Sequence, residues 1–322
     1  MKIRRPIHLI LDWDGTLTRK DTLSLVGNIA YHANSSKSLP PWSDFVNGYF
    51  NDYTEHTSRY EPTSSSRTII DQERQWLASL TPIENKSVQR VESSRIFKGV
   101  KASHVDHVAA SSLQSGDLQF RNDWDSLFET LLSSPTNKIS VLSVNWSARF
   151  IRQSLLSASS KRTSSKSGTL HSYLTTMNIK ANEISNLESA EGSDGRLSKD
   201  SSTGIRTSAD KLSHLPTRCQ QKLEMCALTK ELEEQHDDLV VYIGDSATDL
   251  EALLAADLGI CIRDDPMGSS QRELSETLHR IGVDVRSIDE HIDLNRTVDG
   301  QMVVYSTFGF DALVKALSKL EV

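Results

Sequence analysis

Two aspartates one residue apart, Asp12 and Asp14, close the compact apolar run Ile7–Leu11 and are followed at once by Gly15 and Thr16. On a continuing strand, carboxylates two apart would share a face. Here the strand is ending, and a tight turn at a glycine can carry both into one pocket beyond the sheet edge. One carboxylate can then attack an electrophile such as phosphorus while its neighbour handles protons. The plainer alternative for an isolated Asp-x-Asp-Gly is an Asx-type turn that closes a strand.

Two more strand ends carry unusual polar residues. The run Ile139–Val144 leads into Ser143-Val144-Asn145. A hydroxyl and backbone N–H groups at a strand-to-helix turn can cradle a phosphate, although Ser143 can equally begin a helix over Trp146–Leu156. The run Leu239–Ile243 leads into Gly244-Asp245-Ser246-Ala247-Thr248-Asp249. Aspartates four apart at a helix start can share a face and hold a hard cation. Ser246 and Asp249 also have capping-box spacing, and both roles can coexist.

The elements that must position these groups follow from apolar patterning. Ile7–Leu11, Ile139–Val144, Leu239–Ile243 and Leu258–Ile262 are continuous rather than alternating, as in strands buried on both faces of a parallel sheet. Helical patterns such as Trp124–Leu132 and Leu250–Ala256 lie between them, and the chain ends in a strand over Gln301–Ser306 and a helix over Phe310–Leu320. The rhythm predicts an α/β fold: a Rossmann-like parallel sheet with helices on both faces. In such sheets ligands bind beyond the carboxyl ends of the strands, where all three polar motifs fall.

Residues 18–118 break the rhythm with helical patterns over Asp44–Tyr53 and Ile69–Leu80 and few strand signals. They are expected to form a helical cap inserted after the first strand, leaving residues 1–17 and 119–322 as the core. Aromatic residues at helical spacing, Trp42, Phe45, Tyr49, Phe50 and Tyr53, are cap core or the lining of a pocket beneath it. Two polar tracts, near 157–168 and 188–208, can bury little apolar surface and are expected to be mobile loops. His104 and His107, three apart, are expected to be a surface pair, since no third ligand is evident.

A net charge of −7 leaves no basic footprint for nucleic acid and no polybasic membrane patch. No apolar run approaches the roughly 20 residues that span a bilayer, and Asp12 and Asp14 interrupt the one N-terminal stretch that imitates a signal peptide. Three widely spaced cysteines, Cys219, Cys226 and Cys261, fit buried thiols in a reducing compartment. A cytoplasmic location is expected.

The order and strand context of the three motifs resemble those of the haloacid dehalogenase (HAD) superfamily of phosphotransferases. Leu9-Ile10-Leu11-Asp12-Trp13-Asp14-Gly15-Thr16-Leu17-Thr18 looks like its first motif, Val141-Leu142-Ser143 like its second and Gly244–Asp249 like its fourth. The third motif is a lysine. Lys211, in Ala209-Asp210-Lys211 after Ala181-Asn182, resembles the phosphoserine-phosphatase-like branch; Lys222 and Lys230 are the alternatives. Within that branch Tyr242–Ser246, Asp249-Leu250 and Ala255–Ile260 are similar to the phosphatase domain of plant bifunctional thiaminase/thiamine-monophosphate phosphatases.

The resemblance implies a Mg²⁺-dependent hydrolase of a small phosphomonoester, working through an aspartyl-phosphate. Asp12 would be the nucleophile and Asp14 the general acid and base. Asp12, Asp245 and the backbone carbonyl of Asp14 would bind Mg²⁺, with Asp249 in support. Ser143, Asn145 and Lys211 would hold phosphoryl oxygens. Charge makes the same demand: four aspartates face one lysine, so a phosphate dianion would meet a strongly negative site without a cation. Asp14 argues against dehalogenation, and a cap would obstruct a protein substrate. A catalytically silent binding protein on the same scaffold is the remaining alternative.

Overall fold

The computed structural model describes residues 5–160, 167–197, 204–225, 238–290, 292, 294, 297–298 and 301–320. Eight strands occur in the order β1 (Ile7–Leu11), β2 (Lys138–Leu142), β3 (Asn178–Lys180), β4 (Leu239–Gly244), β5 (Leu258–Ile262), β6 (Asp284–Ser287), β7 (Thr297–Val298) and β8 (Gln301–Thr307). Seven form one parallel sheet with spatial order β3-β2-β1-β4-β5-β8-β6, and β7 pairs antiparallel with β8.

The continuous apolar runs explain why both faces are covered. Leu9 and Leu11 of β1, Val241 and Ile243 of β4, and Ile260 of β5 enter one apolar cluster. The intervening Ile10, Val240, Tyr242 and Cys261 enter a second cluster on the other side. Side chains alternate along a strand, so a run apolar at every position needs cover on both faces. Cys219 and Cys261 are buried free thiols, as their spacing suggests; Cys226 lies outside the described residues.

Thirteen helices are described: α1 (Leu23–Ala33), α2 (Trp42–Arg59), α3 (Ile70–Ser79), α4 (Thr81–Ser94), α5 (Ala102–Ser115), α6 (Trp124–Leu131), α7 (Ala148–Ser160), α8 (Ser167–Thr176), α9 (Ser208–Ser213), α10 (Thr217–Met225), α11 (Leu250–Ala255), α12 (Ser269–Arg280) and α13 (Phe310–Leu320). The first five form the mainly helical insertion after β1. Among the described residues no helix is long and apolar enough to cross a membrane.

This insertion is joined closely to the sheet. Val26 and Ile29 of α1 and Val105 and Val108 of α5 share one core with Leu9, Val141 and Phe150. The chain enters and leaves the insertion along paired segments: Arg19 N donates to Gln119 O and Arg121 N to Leu17 O, each at 2.9 Å. On the opposite side Arg74 of α3 contacts Glu251 of α11 at 2.7 Å. Glu73 of α3 is buried and accepts from Arg67 at 2.8 Å and from Arg280 of α12 at 2.7 Å.

The two polar tracts differ from the free loops that their composition suggests. Residues 157–160 complete α7 and 167–168 begin α8, while 161–166 lie outside the described residues. Residues 188–197 are tied to the insertion: Gly99 N donates to Ser193 O at 2.8 Å, Ser193 N to Val100 O at 2.7 Å, and Leu197 N to Glu92 Oε1 at 2.8 Å. The positive φ of Gly192, 75°, lets its backbone lie against the carbonyls of Gly99 and Val100, where a Cβ would come within 2.7 Å. Polar composition here supplies hydrogen bonds to another segment rather than solvent exposure. Residues 198–203 lie outside the described residues.

Glu73 is the carboxylate that both guanidinium groups bond in a largely buried site, so removing it takes away the ion-pair partner of Arg67 and Arg280. Glu73→Ala should lower stability by about 3 kcal/mol, read as a reduced urea midpoint with an unchanged slope. An unaltered midpoint would show that α3 is not fastened to α12 through this carboxylate.

Candidate active site

Sheet register brings the three motifs together. Leu11 of β1 pairs with Val141 of β2 and with Ile243 of β4. Asp12, Ser143 and Asp245 therefore emerge side by side at the carboxyl edge. Successive strands go to opposite sides of β1 here, which is the topological switch point where ligands bind in such sheets.

Beyond Asp12 the chain turns sharply over Trp13–Leu17, with Gly15 at φ 74°. A Cβ on Gly15 would lie 2.3 Å from Asp245 Oδ2, so glycine is required both for the turn and for the carboxylate beside it. The turn is held by Arg121, which donates to Thr16 O at 3.1 Å and to Gly15 O at 2.8 Å, and pairs with Asp264 at 2.5 Å. Its sequence signal is a lone arginine near the return of the insertion, with no spacing to mark it.

Lys211 is the centre of the site. Its ammonium is fully buried, 2.9 Å from Asp12 Oδ1 and 2.6 Å from Asp249 Oδ1. Burial alone would lower its pKa; the Asp12 and Asp249 carboxylates outweigh burial and hold it above the ordinary lysine value. Lys222 instead pairs with Asp257, next to Arg218, outside the site. Lys230 lies outside the described residues. Helix α9, which carries Lys211, starts with a capping box: Thr207 Oγ1 accepts from Asp210 N, and Asp210 Oδ2 accepts from Thr207 N at 2.9 Å.

Asp249 has every oxygen engaged. Oδ1 accepts from Lys211 and from the Tyr242 hydroxyl at 2.6 Å, while Oδ2 accepts from Asp245 N, Ser246 N and Ser246 Oγ at 3.1 Å each. Gly244 leaves room for it, since a Cβ there would stand 2.3 Å from Asp249 Cγ. Both the capping role and the carboxylate grouping hold. Tyr242, unmarked in an apolar run, is the buried phenol that completes this network.

Asp12, Asp245 and Asp249 place carboxylate oxygens within 4.8 Å of one another and are all buried. Burial first, then the charge of Asp249, raises the Asp12 pKa well above its ordinary value against the pull of Lys211. Burial and Asp249 likewise push Asp245 up to about 7, although Thr16 Oγ1 donates to it at 3.0 Å. Asp12 Oδ1 has no aligned hydrogen-bond donor, despite the nearby ammonium. Three crowded, buried carboxylates served by a single ammonium fit a hard divalent cation among Asp12 and Asp245. The saturated Asp249 fits a supporting position behind them.

Asp14 stands half-buried beside this group. Its Oδ1 accepts from Thr22 N at 2.7 Å and Thr22 Oγ1 at 2.6 Å; its Oδ2 accepts from Asn145 Nδ2 at 3.0 Å. Burial, then the charge of Asp21, raises its pKa to about 6, against these hydrogen bonds. The motif resemblance points Asn145 at phosphoryl oxygens, but its amide is engaged by Asp14 and by Thr22 at 3.1 Å. Ser143 is buried at the strand end, and its Oγ accepts from Asn145 N at 3.1 Å. Thr22, just past the motif, is a site residue that the spacing does not reveal.

His104 and His107 have a histidine neighbour, His32, whose ring stacks on His107 at 4.4 Å. Parallel rings do not converge on one ion, and among the described residues only the three aspartates form a metal-compatible group.

No family model matches the chain. The chain is 27% identical over 312 residues to the CTO1 family protein C17G9.12c of Schizosaccharomyces pombe, covering 95% of this chain and 98% of that protein. It is 26% identical over 161 residues to Cold tolerance protein 1 of Saccharomyces cerevisiae, covering 45% of this chain and 50% of that one. Among solved structures, a substrate-bound phosphoserine phosphatase complex aligns with a TM-score of 0.43 at 12% identity over 85% of this chain and 91% of that one. A HAD family hydrolase from Salmonella enterica serovar Typhi aligns with a TM-score of 0.44 at 11% identity, over 84% and 66%.

Lys211→Met would leave Asp12 and Asp249 buried without their shared counter-charge. Stability at neutral pH should fall by about 3 kcal/mol, measured by denaturant titration. A variant as stable as the parent would show that the ammonium is not what balances the two carboxylates.

Proposed function

We propose that this chain is a HAD-type phosphatase that hydrolyses a small phosphomonoester through an aspartyl-phosphate on Asp12. The observation that carries the reading is the fully buried Lys211 ammonium between Asp12 and Asp249, with Asp245 alongside and Asp14 on the cleft side.

In the first step an Asp12 oxygen bonds to phosphorus as the bond from phosphorus to the leaving oxygen breaks. Asp14, in its acid form, gives that oxygen its proton. In the second step water attacks the aspartyl-phosphate, Asp14 takes up the proton, and phosphate leaves with Asp12 restored. A pKa raised to about 6 suits a carboxyl group that must be acid in one step and base in the next. Thr22 and Asn145 hold both Asp14 oxygens, so its direction is fixed while its proton moves. Lys211 and the strand-end groups at Ser143 neutralise and position phosphoryl oxygens.

Asp12, Asp245 and the Asp14 carbonyl would hold Mg²⁺, which when bound supplies the positive charge that the site's own residues lack. Asp249 would keep Lys211 and the Asp245 backbone in place behind it.

A cleft of about 460 Å³ opens from Asp14 and Asn145 beneath α2 and α4. The phosphate end is the same for every substrate, so the choice among monoesters, thiamine monophosphate and phosphoserine included, falls to the insertion lining this cleft.

Hydrolysis of p-nitrophenyl phosphate should require added Mg²⁺ and should vanish on chelation. Full activity after exhaustive chelation would defeat the metal assignment. Asp12→Asn is nearly isosteric but cannot form the aspartyl-phosphate, so turnover should fall by on the order of 10³-fold or more. A variant keeping most of its activity would defeat the covalent mechanism.

A further inference from the structure

We infer that the cleft beneath α2 takes a phosphomonoester whose leaving group is a planar, fused or multi-ring aromatic system rather than a short polar chain. This rests on the phosphatase reading and names the substrate class of that site.

Helix α2 presents Trp42, Phe45, Val46, Tyr49 and Phe50 to the cleft, all from one helix face. Phe45 belongs to the buried core and Trp42 packs against it, but the outer residues of this face do not. Phe50 is 58% exposed and Val46 36% exposed, so apolar surface lies open to water at the place where a leaving group would lie. Covering it is favourable in proportion to the area removed from water. Tyr53, the next aromatic on the same helix, stacks on Tyr49 at 6.1 Å and meets Trp76 edge to face at 6.1 Å, behind the residues that line the cleft. The aromatic surface of the cleft is thereby backed by a continuous row of ring contacts from Phe50 through Tyr49 and Tyr53 to Trp76.

The core contributes a further aromatic to the cleft lining. Trp146 follows the second motif directly and meets Trp42 edge to face at 6.0 Å. A flat ring system can stack or contact edges on such surfaces, which adds to plain burial. Size points the same way. A cleft of about 460 Å³ falls in the range that holds ligands of many atoms. A three-carbon leaving group would fill a small part of it and leave the aromatic wall wet.

Charge sets the remaining limit. Away from Asp14 and Asp21, the acidic and basic residues lining the cleft among the described residues are Glu84 and Arg206, one of each sign. Tyr49 hydroxyl donates to Glu84 Oε1 at 2.7 Å, and Arg206 Nη1 donates to Asn85 Oδ1 at 2.6 Å. They offer hydrogen-bonding partners for a polar ring substituent without demanding a second phosphate or a strongly charged chain.

The test compares 1-naphthyl phosphate with O-phosphoserine, both with Mg²⁺. kcat/KM for the naphthyl ester should exceed that for phosphoserine by on the order of 10²-fold. Phe50→Ala should shrink that ratio at least severalfold, and so should Val46→Gln. Both positions are exposed, so the fold should survive, and an unchanged unfolding midpoint checks this. Without catalysis, 1-naphthyl phosphate should bind the Asp12→Asn variant and quench its tryptophan fluorescence, while phosphoserine should not. Equal or better use of phosphoserine, or a ratio that Phe50→Ala leaves alone, overturns this inference and leaves the phosphatase reading standing. Failure to hydrolyse any ester, p-nitrophenyl phosphate included, overturns the phosphatase reading and this inference with it.

Discussion

Lys211 is a primary ammonium with no surface exposed to water, and a buried charge is stable only where its partners are fixed. Its partners are Asp12 and Asp249, which would repel each other without it. Most local features of the site follow from this one requirement. Tyr242 and the backbone N–H groups of Asp245 and Ser246 hold Asp249 in place. Gly244 and Gly15 give up their side chains so that carboxylates fit beside the backbone. The Thr207–Asp210 capping box fixes the short helix that delivers the lysine, and Ser208 Oγ accepts from Glu251 N at 3.1 Å to dock that helix on α11. The ammonium balances only part of the carboxylate charge. Burial, together with the remaining carboxylate charge, is what holds the Asp12 and Asp245 pKa values above their ordinary range.

Much of this is legible in the amino-acid sequence. β1, β5 and α13 coincide with the apolar runs Ile7–Leu11 and Leu258–Ile262 and the amphipathic Phe310–Leu320, because strands buried on both faces and helices with one apolar face carry strong periodic signals. Of the two candidate lysines among the described residues, Lys211 stands 2.9 Å from Asp12, whereas Lys222 pairs with Asp257. The features that leave no trace in the sequence are short or cooperative. β3 has three residues, Asn178–Lys180, and β6 reads Asp-Val-Arg-Ser, so neither carries an apolar run; each exists because a neighbouring strand offers it hydrogen bonds. Arg121 acts through partners more than a hundred residues away, while Thr22 and Tyr242 reach Asp14 and Asp249 eight and seven residues away across a turn that the pattern of residue types does not reveal. The tract over 188–197 misleads for a related reason. Its serines and glycines satisfy the backbone around Gly99 and Val100, and composition cannot distinguish that from solvation.

Asn145 shows how a motif residue can serve chemistry indirectly. Its amide reaches Asp14 Oδ2 and Thr22 Oγ1, while its backbone N–H bonds Ser143 Oγ. The end of β2 is thereby tied to the turn after β1 through one side chain. Asp14 gains a fixed direction, and Thr22, the residue before α1, is held in the same network. The start of the helical insertion is thus bonded directly to the carboxyl group beside the cleft.

The site consequently has two ends of opposite character. Around Lys211 nearly every polar atom has a partner, and the groups are buried and rigid. Along α2 the apolar surface is partly uncovered, and Phe50 stands open to water. A saturated end can recognise only a group of fixed shape and charge, because any change leaves a buried polar atom unpaired. An uncovered apolar end tolerates variation in shape and rewards area. The two ends meet at Asp14, and Arg206 joins them through the backbone: its N–H bonds Asp210 Oδ2 in the cap of the lysine helix, while its side chain lines the cleft. The wall of the cleft and the capping box of the lysine helix therefore share one residue.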